Sequence, residues 1–171
     1  VGFEAEKVSQ RIFSLALEPV GIEWVDASDL IPSLRRTKDA KEVEAIRRAA
    51  LIGRQAYGNV LRTVRPGMTE AGFEGALLLE IKRLGAEKGW AHDDFIVASG
   101  VRGAVCHAHA TSRAFEAGDV VTVDYGAMVG GYMSDITRNF AVGRPDDRAL
   151  EVNDVLLRAH RAAAAALRPG L

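Results

Sequence analysis

The chain has a single cysteine, Cys106, in 171 residues. That excludes an internal disulfide framework and fits a reducing compartment, so the chain reads as cytoplasmic. An excess of charge of one sign is also lacking: 22 Lys and Arg stand against 23 Asp and Glu, for a formal net charge of −1. With no basic face and no like-charge block, neither a nucleic-acid partner nor a membrane-surface role has electrostatic support. No apolar run reaches the roughly 18 residues needed to span a bilayer. The opening residues, VGFEAEKVSQ, have neither the basic nor the apolar region of a signal peptide, and they lack a starting Met. A chain that opens at Val1 in mid-pattern reads as a piece of a longer protein. What it does have is 48% apolar residues, enough for a sizeable core in one domain of ordinary size.

Periodicity orders the chain. Val8 to Leu17 has helical spacing, Pro19 and Gly21 break it, and GIEWVDA then reads as a short strand. From Thr37 a long amphipathic helix is expected, with Asp39 and Glu42 as its capping box and Val43, Ile46, Ala50 and Tyr57 on its buried face. Arg-Pro-Gly at 65–67 stops it. Thr69 is placed to cap a second helix, in which Phe73, Leu77 and Ile81 recur at fours. A β-rich block follows, with DFIVASG (94–100), AVCHAHA (104–110) and a hairpin within 118–140. A last helix runs from Arg148 to Leu167, and a second Arg-Pro-Gly at 168–170 takes the same role as the first.

The hairpin carries two carboxylates. A turn at Val129 and Gly130 sets Asp124 opposite Asp135, with Cβ atoms roughly 4.5–5.5 Å apart. Alternation sends Val121, Val123, Tyr125 and Ala127 to one face, and Asp124 to the other together with Asp135, Thr137 and Asn139. Facing carboxylates repel unless one takes up a proton or a positive charge lies between them. A divalent cation, or a pair sharing one carboxylate, removes the conflict and opens hydrolytic chemistry. Hard oxygens favour Mn²⁺, and an imidazole in the site would admit Co²⁺ or Zn²⁺. The same placement also fits two solvated residues on the wet face of an antiparallel sheet.

These residues resemble a known family. DYGAMVGGYMSDITRNF is similar to the signature D-x-G-A-x-x-x-G-Y-x-S-D-x-T-R of the Xaa-Pro peptidases, metallopeptidases of pita-bread fold that include prolidase and aminopeptidase P. IVASG, the histidine of AVCHAHATSR, AGDVVTVD, VGRP and LRRTKDAKEVEAIRRAA fall in the family's order and spacing. The resemblance implies an α+β fold, one half of a pita-bread domain over 33–171 with helices packed on a curved antiparallel sheet. Residues 1–32 would be the end of a preceding creatinase-like domain.

In that family two divalent metal ions are held by two Asp, one His and two Glu. Asp124 would bind one ion and Asp135 would bridge both. His107 would touch the substrate or the tetrahedral intermediate without binding metal, and Thr137, on the metal-side face, is placed to orient a ligand or the bridging water. The implied reaction is hydrolysis of the bond preceding proline in dipeptides or short peptides, by a parent enzyme that is commonly a homo-oligomer. The remaining His and both Glu, one of them the general base, would lie beyond this chain, so the chain alone is expected to be inactive. Cys106 stands where many members have Pro, and Asp93 where prolidases often carry an aromatic substrate contact. Methionine aminopeptidase, suggested by Val-Cys-His, and a non-catalytic module of the same fold are the alternatives.

The other candidates divide by face. His109 alternates onto the face of His107 and is a candidate substrate contact. Cys106, as its strand neighbour, should point away from His107. His92 and His160 read as surface residues, and Trp24 and Trp90 as packing anchors.

Overall fold

The computed structural model describes residues 1–90 and 95–170; His92, Asp93 and the Asp94 start of the expected strand lie outside them. The chain divides into two units, Val1–Val43 and Glu44–Leu171. In the first, β1 (Gly2–Phe3) pairs in parallel with β2 (Val25–Asp26), so only two residues of GIEWVDA are strand. The helix expected over 8–17 is broken into α1 (Gln10–Ile12), a π-helical turn at Phe13–Leu17 and a 3₁₀ turn at Glu18–Val20. Pro19 lacks the N–H for an α-helical bond, and its ring crowds the carbonyl four residues back. Phe3 packs 5.2 Å from Phe13 and 6.0 Å from Trp24, ring to ring. The Trp24 indole donates to Leu17 O at 3.0 Å, consistent with a packing role. The helix α2 (Leu30–Arg36) has no counterpart among the expected elements; Pro32 sits in its first turn, where a missing N–H costs nothing.

The long helix is α3 (Ala40–Leu61). Its capping box forms reciprocally: Asp39 Oδ1 accepts from Lys41 N at 2.8 Å and Glu42 N at 2.9 Å, and Glu42 Oε2 accepts from Asp39 N at 2.6 Å. The buried face is Ala49, Ile52, Gly53, Ala56 and Val60. This corrects the expected face, of which Val43 is exposed and Ile46, Ala50 and Tyr57 are half-buried. The cause is close approach, since a Cβ on Gly53 would come within 3.0 Å of Ile136 Cδ1. A helix lying that near a sheet turns its small residues inward.

The next helix, α4 (Glu70–Arg83), is capped by Thr69, whose Oγ1 accepts from Gly72 N at 3.0 Å. Glu70, Phe73, Leu77 and Ile81 form its buried stripe. It stops after Arg83. Gly85, at φ 96°, donates to Lys82 O, and Ala86 donates to Ile81 O, a paired closure that only a left-handed residue permits.

The sheet is antiparallel, in the order β3 (Ile96–Ser99), β4 (Val120–Tyr125) and the last strand (Ile136–Ala141). Between β4 and that strand, β5 (Met128–Val129) and β6 (Tyr132–Met133) form a separate hairpin, so the last strand is β7. Val121, Val123 and Tyr125 of β4 are fully buried, as alternation requires. Helices α3 and α4 cover this face. Phe73 lies 5.3 Å from Phe140 and 6.1 Å from Phe115, and Tyr57 stacks on Tyr125 at 5.6 Å. Burial pushes the Tyr57 hydroxyl up to about 12, with Arg138 offsetting part of the rise. The architecture of this unit is α+β.

The hairpin turn corrects the expected register. It uses Gly130 and Gly131, at φ 59° and 77°, because a two-residue turn of the favoured hand needs left-handed backbone at both positions. Val129 pairs with Tyr132 instead of entering the turn. The pairing shifts by two residues, so Asp124 faces Thr137 and not Asp135.

Helix α5 (Asp147–Ala166) starts at Asp146, which accepts from Ala149 N at 2.6 Å. None of its residues is buried, and Val152, Val155 and Leu156 are 52%, 56% and 52% exposed. Counted back from the two Arg-Pro-Gly tripeptides, Val152, Val155, Leu156 and Ala159 stand where α3 has Ala49, Ile52, Gly53 and Ala56.

Candidate functional site

Asp124 sits half-buried near the end of β4, and Thr137 Oγ1 donates to its Oδ1 at 2.7 Å across the ladder. Asp135 is exposed and lies between β6 and β7, where the ladder is interrupted. Counted back two residues from Thr137, the partner of Asp124, simple alternation assigns it to the face of Asp124. Two contacts hold the interruption. Ala127 N donates to Ser134 Oγ at 3.1 Å, and Ser134 N donates to Ala127 O at 2.9 Å. Gly126 faces this junction with no room for a side chain: a Cβ there would lie 2.1 Å from Ser134 O and 2.2 Å from the Trp90 indole nitrogen. Trp90 also meets Phe95 edge to face at 6.2 Å, consistent with the anchoring role read from the sequence.

The histidines are held differently from the strand expected over 104–110. A 3₁₀ turn, Gly100–Ala104, follows β3, Val105 N donates to Arg102 O, and Ala108 N donates to Val105 O. His107 and Cys106 are therefore the two middle residues of a tight turn, both exposed. The face argument that set Cys106 apart from His107 falls with the strand, and Cys106 Sγ lies 4.0 Å from His107 Nδ1. His109, also exposed, forms a lone bridge to Ile96, which is itself the partner of Asp124. His109, Ile96, Asp124 and Thr137 thus make one row across the sheet, with His109 about 10 Å, or two strand spacings, from Asp124. His160 is exposed on α5.

A charged network behind these residues was not among the candidates. Glu70, fully buried, accepts from Ser99 N and Oγ at 2.8 and 2.7 Å and from Thr111 N and Oγ1 at 3.0 and 2.6 Å. Arg102 Nε reaches its Oε2 at 3.2 Å, and Arg102 Nη2 donates to His109 O at 2.8 Å. Burial opposes the charge on Glu70, but the bonds from Thr111 and Ser99 outweigh it and hold the carboxyl below the ordinary range. Ser99 Oγ also accepts from Arg113, which makes a bidentate pair with Asp119. The bond from Arg113 holds the Asp119 carboxyl low as well. A signal for Glu70 exists in the sequence: it stands one turn ahead of Phe73, Leu77 and Ile81, a carboxylate on the core stripe.

The model of metallopeptidase family M24 matches residues 44–171, three quarters of the chain and all of the site residues just described. The chain belongs to metallopeptidase family M24. It is 35% identical, over its whole length, to 48% of a Bacillus subtilis protein named uncharacterized peptidase YqhT. Over 87% of its length it is 34% identical to 42% of the Xaa-Pro dipeptidase of Pyrococcus furiosus. Among solved structures, the prolidase of Pyrococcus horikoshii superposes on 99% of the chain with a TM-score of 0.91 at 30% identity, using 48% of its own length. The Xaa-Pro dipeptidase of Bacillus anthracis superposes on 92%, with a TM-score of 0.85 at 36% identity and 44% of its length. This M24 chain spans about half the length of the relatives it matches, and its fold is the matching half of the pita-bread architecture.

M24 membership implies use of a divalent metal. The donors present fit such an ion in part: Asp124 and Asp135 offer hard oxygens, and Thr137 restrains the first. Among the described residues no three His, Cys, Asp or Glu stand close enough to hold an ion by themselves. Among them, too, no helix is long and apolar enough to cross a membrane.

Proposed function

We propose that this M24 chain is the first half of the catalytic domain of a peptidase that uses two divalent ions, Mn²⁺ by preference, to hydrolyse the bond preceding proline. What supports the reading is the match of metallopeptidase family M24 over residues 44–171, with Asp124 held by Thr137 across the ladder. Residues 33–171 are read as that half-domain and 1–32 as the end of a preceding creatinase-like domain. A cytoplasmic, homo-oligomeric parent belongs to the same proposal.

Each residue takes a role from its place. Asp124 and Asp135 would hold the ions, and Thr137 fixes the carboxylate of Asp124 through its hydroxyl. When bound, such ions supply a hydroxide at neutral pH and a positive charge for the developing oxyanion. His107, exposed at the tip of its turn, would donate to the scissile carbonyl oxygen as charge builds there. His109, in the row of Asp124, would meet the peptide on the flank. The prolidases and Xaa-Pro dipeptidases among the relatives support the substrate class.

The test is a metal titration of the full-length parent and of the 171 residues alone, both first stripped with chelator. With Xaa-Pro dipeptides and Xaa-Pro-Yaa tripeptides as substrates, the parent should regain cleavage on adding Mn²⁺. The 171-residue chain should show none at the same concentrations. Cleavage of the dipeptide alone marks a dipeptidase, and release of the first residue from the tripeptide an aminopeptidase. A parent that cleaves Met-Ala peptides and spares Xaa-Pro would turn the assignment to methionine aminopeptidase. A parent that binds no metal would be a non-catalytic module.

A further inference from the structure

One buried carboxylate closes the base of the loop that carries the histidines. Ser99 stands where that loop leaves β3, and Thr111 where it returns to the start of α4. Glu70 binds the backbone N–H and the hydroxyl of both. The return is doubled by main-chain bonds, since Glu70 N donates to Arg113 O and Ala71 N donates to Thr111 O. Within the loop, Arg102 spans the gap with one nitrogen on Glu70 and another on His109 O, while Arg102 O accepts from Val105 N to open the turn of His107. The turn is tied to the rest of the unit by Arg102, which Glu70 holds, and on its far side by the bridge of His109 to Ile96.

We infer that Glu70 is a positioning residue for His107, acting through Arg102 and Thr111 to fix the 105–108 turn relative to the sheet that bears Asp124. The inference rests on the role given to His107 above. Glu70 itself never meets substrate, because it is fully buried. Its charge is what the position needs: an amide in its place would present an N–H to one of the donors and give up the ion pair with Arg102.

The test compares Glu70→Gln, His107→Ala and the double variant in the full-length peptidase. His107→Ala should lower kcat/KM by about 10²-fold or more, as for loss of one oxyanion donor. Glu70→Gln should lower kcat by about tenfold or more, on the same scale, at unchanged metal affinity. The double variant should be no worse than His107→Ala alone, because a residue that works only through His107 has nothing left to position. A double variant whose loss is the product of the two single losses overturns the inference. A second readout does not depend on catalysis: Glu70→Gln should speed hydrogen exchange at the Val105 and Ala108 amides, and unchanged exchange there overturns it equally. If Glu70→Gln does not fold, Arg102→Met, at a partly exposed side chain, is read in the same two ways. A parent that cleaves no Xaa-Pro bond would sink the functional reading, and the amides alone would then decide the positioning role.

Discussion

Asp135→Asn in the full-length peptidase is expected to lower kcat/KM by about 10³-fold or more at saturating Mn²⁺ while leaving the fold intact. The fold should survive because Asp135 is exposed and falls between two strands, where a surface substitution changes stability by about 0.5 kcal/mol at most. On the proposed reading activity should not survive, because a neutral amide cannot balance the charge of the ions that Asp135 would hold. The stabilisation lost is several kcal/mol, and each 1.36 kcal/mol is about tenfold in rate. Asp124→Asn should behave similarly, since the amide oxygen can still accept from Thr137 Oγ1 and hold the side chain in place. Thr137→Val, which removes only that bond, should cost about 10–100-fold. Steady-state kinetics and metal content of the purified variants check the series. An Asp135→Asn enzyme within tenfold of the parent, with its full metal content, would remove the carboxylate pair from the mechanism.

Gly126→Ala is expected to destabilise the chain by about 3 kcal/mol or more, at or beyond the usual range for overpacking. Its Cβ would lie 2.1 Å from Ser134 O and 2.2 Å and 2.4 Å from two atoms of the Trp90 indole. Neither neighbour yields cheaply. Ser134 is tied to Ala127 by bonds in both directions, and Trp90 is braced against Phe95. The relief open to the chain is to push the Ser134 backbone away, which carries the adjoining Asp135 with it. Thermal unfolding should therefore show a lowered midpoint, and the same variant of the full-length protein should bind metal more weakly. Gly75→Ala is the control: it lies on the exposed side of α4 with nothing within 4 Å of its Cβ, and should gain up to about 1 kcal/mol in helix propensity. Equal midpoints for the two variants would contradict the packing account.

The parts of this fold that follow from local rules were readable in the chain. The Asp39–Glu42 box, the Thr69 cap and the spacing of Phe73, Leu77 and Ile81 each depend on residues within a turn or two of one another. The inward side of α3 was not readable from its large residues. That side includes Ala49, Gly53 and Ala56, and at Gly53 the approach to the sheet leaves room only for a residue that does not protrude. The register was recoverable in principle, for only Gly130 and Gly131 together meet the backbone demand of a two-residue turn. The alternating Val-Cys-His-Ala-His-Ala misled because its conformation is set from outside, by Arg102, Thr111 and the carboxylate of Glu70 far back in the chain. Of the candidate site, the common face of Asp124 and Thr137 was legible, and the Glu70 network at the base of the histidine loop was not.

The apolar stripe of α5 also governs how a solution of these 171 residues answers to its solvent. Val152, Val155 and Leu156 lie open along one side of a long helix, so two molecules lower their free energy by meeting there. Salts excluded from protein surfaces, such as sulfate, strengthen that attraction, and cooling weakens it. A preparation of the chain should therefore stay clearest cold and in low sulfate, and should cloud first as it is warmed or as sulfate is added.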